Sequence, residues 1–203
     1  MKIGQKAPEF SLKDRTGKSY SLKSFKGKYT VVYFYPKDDT PGCTIQAQRF
    51  TEYKAKFAKL NIDVIGISGG DEKSKEKFCK KQKLDLLLLS DTDFTVAKSY
   101  KSYGEKMFMG RKYQGIFRNT FLLDHSKKVV KIFEKVSVED NASEILETVL
   151  TLSTKAGASA MKVKDAKPRL LKAKVQVKTK PQSKKSPAKK DISAASKKVS
   201  RKK

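Results

Sequence analysis

Thr30–Tyr35 is a nearly continuous apolar run that leads directly into Pro36-Lys-Asp-Asp-Thr-Pro-Gly-Cys43. Beyond the cysteine, Ala47, Phe50, Tyr53, Phe57 and Leu60 recur at helical spacing. A strand apolar at successive positions has both faces covered, as a central strand does. Followed at once by an amphipathic helix, it commits the chain to layers of helix packed on sheet.

The other segments fit that scheme. Phe10–Leu12 and Tyr20–Leu22 flank Asp14-Arg-Thr-Gly17 and read as a short hairpin closed by a glycine turn. Ile62–Ile67 and Leu86–Leu89 read as further buried strands. Between them a lysine-rich helix opens at Asp71 and carries Cys79. A short helix is expected over about Thr92–Tyr100, then an irregular segment from Tyr103 to Gly115. Ile116–Leu123 and Val129–Phe133 are expected to pair as a hairpin. A last helix starts near Asn141, with Glu144 at capping-box spacing, and is expected to bury Ile145, Leu146, Val149 and Leu150.

Cys43 is the chemically informative residue. It falls at the turn between a strand and a helix, where the first N–H groups of the helix lack partners and their field favours an anion. That placement predicts a thiol pKa below the free value of about 8.5, within the roughly 3.5–7.5 range of activated cysteines. The bland alternative is a small buried hydrophobe, for which Thr-Pro-Gly-Cys is a poor core sequence.

Composition narrows the classes. The 203 residues hold two cysteines, Cys43 and Cys79, too few for a disulfide-stapled scaffold, and no Cys/His cluster offers a metal site. The single histidine, His125, lies in Asp124-His-Ser-Lys127 and reads as a turn residue rather than a catalytic base. No run reaches membrane-span length, and the N-terminus lacks the apolar core of a secretory signal. A soluble protein of a reducing intracellular compartment is expected.

Charge divides the chain. The whole carries 47 Lys+Arg against 21 Asp+Glu, net +26, of which residues 154–203 alone supply 18 Lys+Arg and 2 Asp with no aromatic residue. The expectation is one folded domain over 1–153 and a basic tail over 154–203 that is disordered when free, because it has too little apolar surface to offset its ordering entropy.

Pro36, Thr40 and Cys43 reproduce the P-x-x-x-T-x-x-C signature of peroxiredoxins, and Phe34-Tyr-Pro-Lys-Asp-Asp-Thr-Pro-Gly-Cys-Thr44 resembles the bacterioferritin-comigratory, or PrxQ, branch. Ala7-Pro-Glu-Phe-Ser-Leu12, Leu88-Leu-Ser-Asp91 and Gly115-Ile-Phe-Arg-Asn-Thr-Phe121 resemble strings of the same branch in the same order. The resemblance covers about residues 2–152 and leaves the tail out. It implies an α/β, thioredoxin-like (peroxiredoxin) mixed β-sheet flanked by helices, no cofactor, and reduction of hydrogen peroxide and alkyl hydroperoxides. Cys43 would attack the peroxide and become a sulfenic acid. Thr40 would hydrogen-bond the peroxide, Arg118 would hold the sulfur ionised and help bind peroxide, and Pro36 would shield the pocket from water. Thr40 as a plain N-cap, Arg118 as a strand-edge charge and Pro36 as a strand terminator are the structural alternatives.

Many relatives resolve the sulfenic acid with a cysteine five positions after the peroxidatic one; here that position is Gln48. A second subtype carries its resolving cysteine on the next helix, which implies that role for Cys79. Lys75, Lys80, Lys81 and Lys83 surround Cys79 on a helix polar on almost every face, so it is expected to be accessible, with its thiolate favoured. Part of the structure would unwind for the two sulfurs to bond. A one-cysteine cycle resolved by an outside thiol, or a structural Cys79, are the alternatives. Recycling by thioredoxin or a similar dithiol, and a monomer, follow from the resemblance.

Lys184-Lys-Ser-Pro-Ala-Lys-Lys190 and Ser200-Arg-Lys-Lys203 are similar in composition to linker-histone tails. Lysines without aromatics suit the phosphates of duplex DNA or chromatin better than stacked single strands. That favours the nucleus if the source is eukaryotic, and the nucleoid or cytoplasm otherwise. A solubility tail, an anionic-membrane tether or a dispensable extension are the alternatives. A DNA-associated redox sensor with little turnover is the competing function.

Overall fold

The computed structural model describes residues 1–158. Its centre is a seven-stranded mixed sheet in the order β2-β1-β5-β4-β3-β8-β9. The strands are β1 (Ser11–Asp14), β2 (Ser19–Ser21), β3 (Tyr29–Phe34), β4 (Ile62–Ser68), β5 (Leu87–Ser90), β8 (Thr120–Asp124) and β9 (Val129–Phe133). β3, β4 and β5 run parallel; β1 joins β5, and β8 joins β3, antiparallel.

Period-two alternation explains why β3 is apolar throughout. Val31, Tyr33 and Tyr35 face a core shared with α1 (Pro41–Lys59), α2 (Glu72–Gln82) and α4 (Asn141–Ala158). Val32 and Phe34 face the opposite core, with α3 (Thr95–Ser99) and the N-terminal Ala7 and Phe10. Tyr33 lies across its neighbour Gly66 on β4, where a Cβ would come within 2.6 Å of the phenol oxygen. Glycine is thus required there by close approach rather than by backbone angle. The thioredoxin-like α/β expectation holds, with helices on both faces of the sheet.

Several local expectations are corrected. Tyr103–Gly115 is not irregular: β6 (Tyr103–Phe108) and β7 (Arg111–Ile116) form a separate antiparallel ribbon. Its two-residue turn, Met109-Gly110, has φ of 48° and 75°. Two left-handed residues make the tight hairpin turn that Asn-Gly usually marks, and methionine in the first place hides it. Ile116–Leu123 is not one strand either. β7 ends at Ile116, β8 begins at Thr120, and Phe117–Asn119 is a break. The short helix spans Thr95–Ser99, its first turn fixed by the Asp91 carboxylate, which accepts from the N–H groups of Val96 (3.1 Å) and Ala97 (2.7 Å).

α4 begins at Asn141 as expected, but without the capping box: the Asn141 side chain turns into the core. Ile145 and Val149 are buried, whereas Leu150 is 46% exposed, on the outer face. The helix continues through Ala158, beyond the boundary expected at 153. The rest of the lysine-rich segment, 159–203, lies outside the described residues. Among the described residues no helix is long and apolar enough to cross a membrane.

Candidate active site

Cys43 is the third residue of α1, directly after Pro41 and Gly42. Pro41 carries no N–H and its fixed φ suits the first helical position. The first intrahelical bond is donated by Thr44 to the Thr40 carbonyl (2.8 Å), so the N–H groups of Gly42 and Cys43 precede the ladder. The cysteine is 3% exposed.

The Arg118 Nη2 donates to Cys43 Sγ at 3.3 Å, and its Nη1 donates to Gln46 Oε1 at 2.6 Å. Arg118 is therefore not a strand residue, as expected, but stands in the break between β7 and β8. Its backbone carbonyl accepts from Val136 N–H at 3.3 Å. Freed from the sheet ladder, its side chain reaches over the start of α1, where Gly42 packs beneath: a Cβ there would lie 3.5 Å from Nη2.

Gln46 one turn after Cys43 is itself held. Its Nε2 donates to Asn141 Oδ1 at 3.0 Å, and the same oxygen accepts from Thr120 Oγ1 at 2.9 Å. Gln46, Thr120 and Asn141 are all buried. This relay from α4 and β8 to the guanidinium was missed from sequence. The only available signal was that Gln46 shares the helical face of Cys43, Ala47 and Phe50.

Thr40 is the N-cap of α1, but its side chain makes no cap bond; its hydroxyl donates to the Lys37 carbonyl at 3.1 Å. The proton is thereby committed, and the oxygen retains lone pairs to accept with. Pro36 lies just past β3, separated from it by Tyr35, and is half-buried.

Cys79 overturns its expectation. It is 2% exposed, and Lys75 beside it is fully buried. Positions 75, 78 and 79 share one face of α2, so this face, with Phe78, packs on the sheet while the other lysines point away. Burial pushes the Cys79 thiol up; the Arg15 guanidinium opposes that rise, Asp38 adds to it, and Lys75 weakly opposes it. Both cysteines are reduced and belong to one core cluster with Tyr33, Tyr35, Phe50 and Phe78.

The loop between Pro36 and Thr40 is bound to α2. Asp38 accepts from Tyr35 Oη (2.7 Å), Ser68 Oγ (3.2 Å), Ser74 Oγ (2.7 Å) and Lys75 Nζ (3.2 Å to the nearer oxygen). Asp39, at φ 55°, accepts from Lys81 Nζ (2.7 Å) and Gln82 Nε2 (2.9 Å). His125 lies exposed in the turn between β8 and β9, away from this chemistry.

A thioredoxin-like sheet that sets a cysteine in the first turn of a helix, under an arginine, defines the peroxiredoxin class. The AhpC/TSA family matches residues 3–132. Peroxiredoxin Bcp of Bacillus subtilis (strain 168) is 41% identical over 155 residues, 76% of this chain and 99% of that protein. The solved bacterioferritin comigratory protein of Xanthomonas campestris superposes with a TM-score of 0.67 at 32% identity, covering 71% of this chain and 92% of its own. Two cysteine-to-serine variants of peroxiredoxin Q from the same organism, both 33% identical, give 0.67 (71% of this chain, 91% of that one) and 0.66 (70% and 91%). The chain belongs to the AhpC/TSA family, in its Bcp/PrxQ branch of peroxiredoxins, and is a thiol-dependent peroxidase.

Proposed function

We propose that Cys43 is the peroxidatic residue, acting on hydrogen peroxide and alkyl hydroperoxides. The observation that carries this reading is the 3.3 Å bond from Arg118 Nη2 to Cys43 Sγ at the start of α1. A cationic donor on sulfur orients it and places positive charge where negative charge moves during the attack. The sulfur takes the terminal peroxide oxygen, the O–O bond breaks, and the other oxygen leaves as alkoxide or hydroxide and is protonated by water. The products are a Cys43 sulfenic acid and an alcohol or water. The Thr40 oxygen accepts from the peroxide O–H, while the N–H groups of Gly42 and Cys43 and the guanidinium receive the charge moving onto oxygen. Pro36 presents no N–H and limits water at the rim of the pocket.

Cys79 then attacks the Cys43 sulfur; the S–O bond breaks, water leaves, and a disulfide forms. The two Xanthomonas variants each replace one cysteine, at positions as far apart in that sequence as Cys43 and Cys79 are here, which supports pairing them. A thioredoxin-like dithiol reduces the disulfide. The lysine-rich segment binds duplex DNA or chromatin through phosphates, placing the enzyme in a nucleus or nucleoid.

The test is peroxide consumption with a dithiol reductant by the full chain and by Cys43→Ser, together with retention on duplex DNA. Turnover lost in Cys43→Ser, with DNA retention kept, supports the reading. Turnover that survives the substitution overturns the assignment of Cys43. DNA binding unchanged on removal of 159–203 overturns that of the tail.

A further inference from the structure

The buried ion pair of Asp38 and Lys75 joins the loop that leads into Cys43 to the helix that carries Cys79. We infer that it is a latch: it holds α2 wound with Cys79 inside the core, and its release sets the rate at which Cys79 reaches the Cys43 sulfenic acid. The inference rests on the reading that Cys79 resolves.

The pair is fully satisfied. Lys75 Nζ donates to both Asp38 oxygens (3.3 and 3.2 Å), to Ser68 Oγ (2.6 Å) and to the Gly70 carbonyl (3.2 Å). Its side chain is 0% exposed and that of Asp38 4%. The cradle is cut to fit, since a Cβ on Gly70 would come within 2.0 Å of Asp38 Oδ2. Asp38 and Asp39 together fasten one loop to both ends of α2, through Ser74 and Lys75 in the first turns and through Lys81 and Gln82 in the last. Cys79 sits between the two fastenings.

Release is necessary for chemistry. A thiol exchanges as thiolate and only where the partner sulfur can reach it, and Cys79 is buried with its ionisation opposed by that burial. An ionic fastening suits a part that must let go. A buried ion pair gives back most of its Coulomb gain as desolvation, so once water enters both charges recover hydration. Removing only one partner leaves the other charge buried without compensation, which favours the open state.

Asp38 and Lys75 are thus positioning residues, acting on resolution and not on peroxide attack. The experiment follows the full chain with Lys75→Met and with Ser74→Ala, which removes only one 2.7 Å bond to Asp38 and reads the latch if the first variant does not fold. Rapid quenching and mass analysis give separately the rate of Cys43 oxidation, the rate of the Cys43–Cys79 disulfide and the sulfinic fraction in excess peroxide. Expected are Cys43 oxidation within about twofold of the unaltered protein, disulfide formation faster by about fivefold or more in Lys75→Met and about twofold in Ser74→Ala, and a smaller sulfinic fraction. Equal disulfide rates, or a first step slowed as much as the second is changed, overturn the latch and leave Cys79 as the resolving residue. Absence of a Cys43–Cys79 pair in the unaltered protein overturns both.

Discussion

Arg118 holds Cys43 Sγ with one guanidinium nitrogen at 3.3 Å and is itself held by Gln46 Oε1 with the other at 2.6 Å. The two ends of one planar group therefore fix the sulfur to a buried network that reaches Asn141 on α4. A lysine, with one compact ammonium, cannot bridge both. Arg118→Lys and Arg118→Met are expected to slow Cys43 oxidation by about 10²–10³-fold, the cost of losing one donor from a site of developing charge. Stopped-flow peroxide consumption measures it; a loss below about threefold contradicts the placement.

Gln46→Leu removes the support and leaves the arginine. The guanidinium then retains charge but loses orientation, so the expected loss is smaller, about tenfold in the first step. Gln46→Glu keeps the acceptor for Arg118 but loses the Nε2 donor to Asn141 Oδ1, so it is expected to recover only part of that loss. Equal losses in both variants would mean that Gln46 acts only through packing.

Thr40 donates its proton to Lys37 and keeps its lone pairs. Thr40→Ser preserves this and is expected to stay within about threefold. Thr40→Val removes the acceptor at nearly constant volume and is expected to lower kcat/KM by about 10²-fold. Kinetics of both variants with hydrogen peroxide make the comparison.

Two ion pairs on the same molecule carry different weights. Removing Asp38, whose side chain is 4% exposed, leaves the Lys75 amine buried without its carboxylate, and Asp38→Ala is expected to cost about 3–5 kcal/mol. Lys54 and Asp85 pair at 2.5 Å, but their side chains are 52% and 75% exposed, and Lys54→Ala is expected to cost about 0–1 kcal/mol. Denaturant midpoints of the two variants settle the contrast.

Cys79 makes stability pH-dependent in a definite direction. Burial raises its folded value above the unfolded one, so the folded state binds the extra proton. The stabilisation is full below the ordinary thiol range of about 8.5 and is lost as pH rises through the raised value. The stability difference between the unaltered protein and Cys79→Ala is therefore expected to shrink from pH 7 to pH 10, measured by urea unfolding under reducing conditions. A difference that stays constant contradicts the protonated, buried thiol.

The strand-turn-helix carrying Cys43 was legible because local pattern decides it: β3 is apolar on both faces and α1 carries a clean stripe. The β6–β7 ribbon was not, because its turn depends on two left-handed residues and Met109 gives no sign of one. Arg118 was legible as a candidate from the motif resemblance, and it does stand beside Cys43, but its position off the strand was not legible, since the break at Phe117–Asn119 has no glycine or proline. The exposure of Cys79 was misjudged because lysines mark solvent on average. Lys75 is buried by a partner, Asp38, far away in sequence, which periodicity alone does not pair. The Gln46–Asn141–Thr120 relay failed to show for the same reason.

The most direct measurement is the rate at which Cys43 in the full, reduced chain is oxidised by equimolar hydrogen peroxide at neutral pH, read by trapping the sulfenic acid and digesting for mass analysis. The account predicts that Cys43 is oxidised orders of magnitude faster than free cysteine, that Cys79 is not oxidised before it, and that the gain falls sharply in Arg118→Met. Oxidation of Cys43 no faster than that of free cysteine, or of Cys79 first, contradicts it.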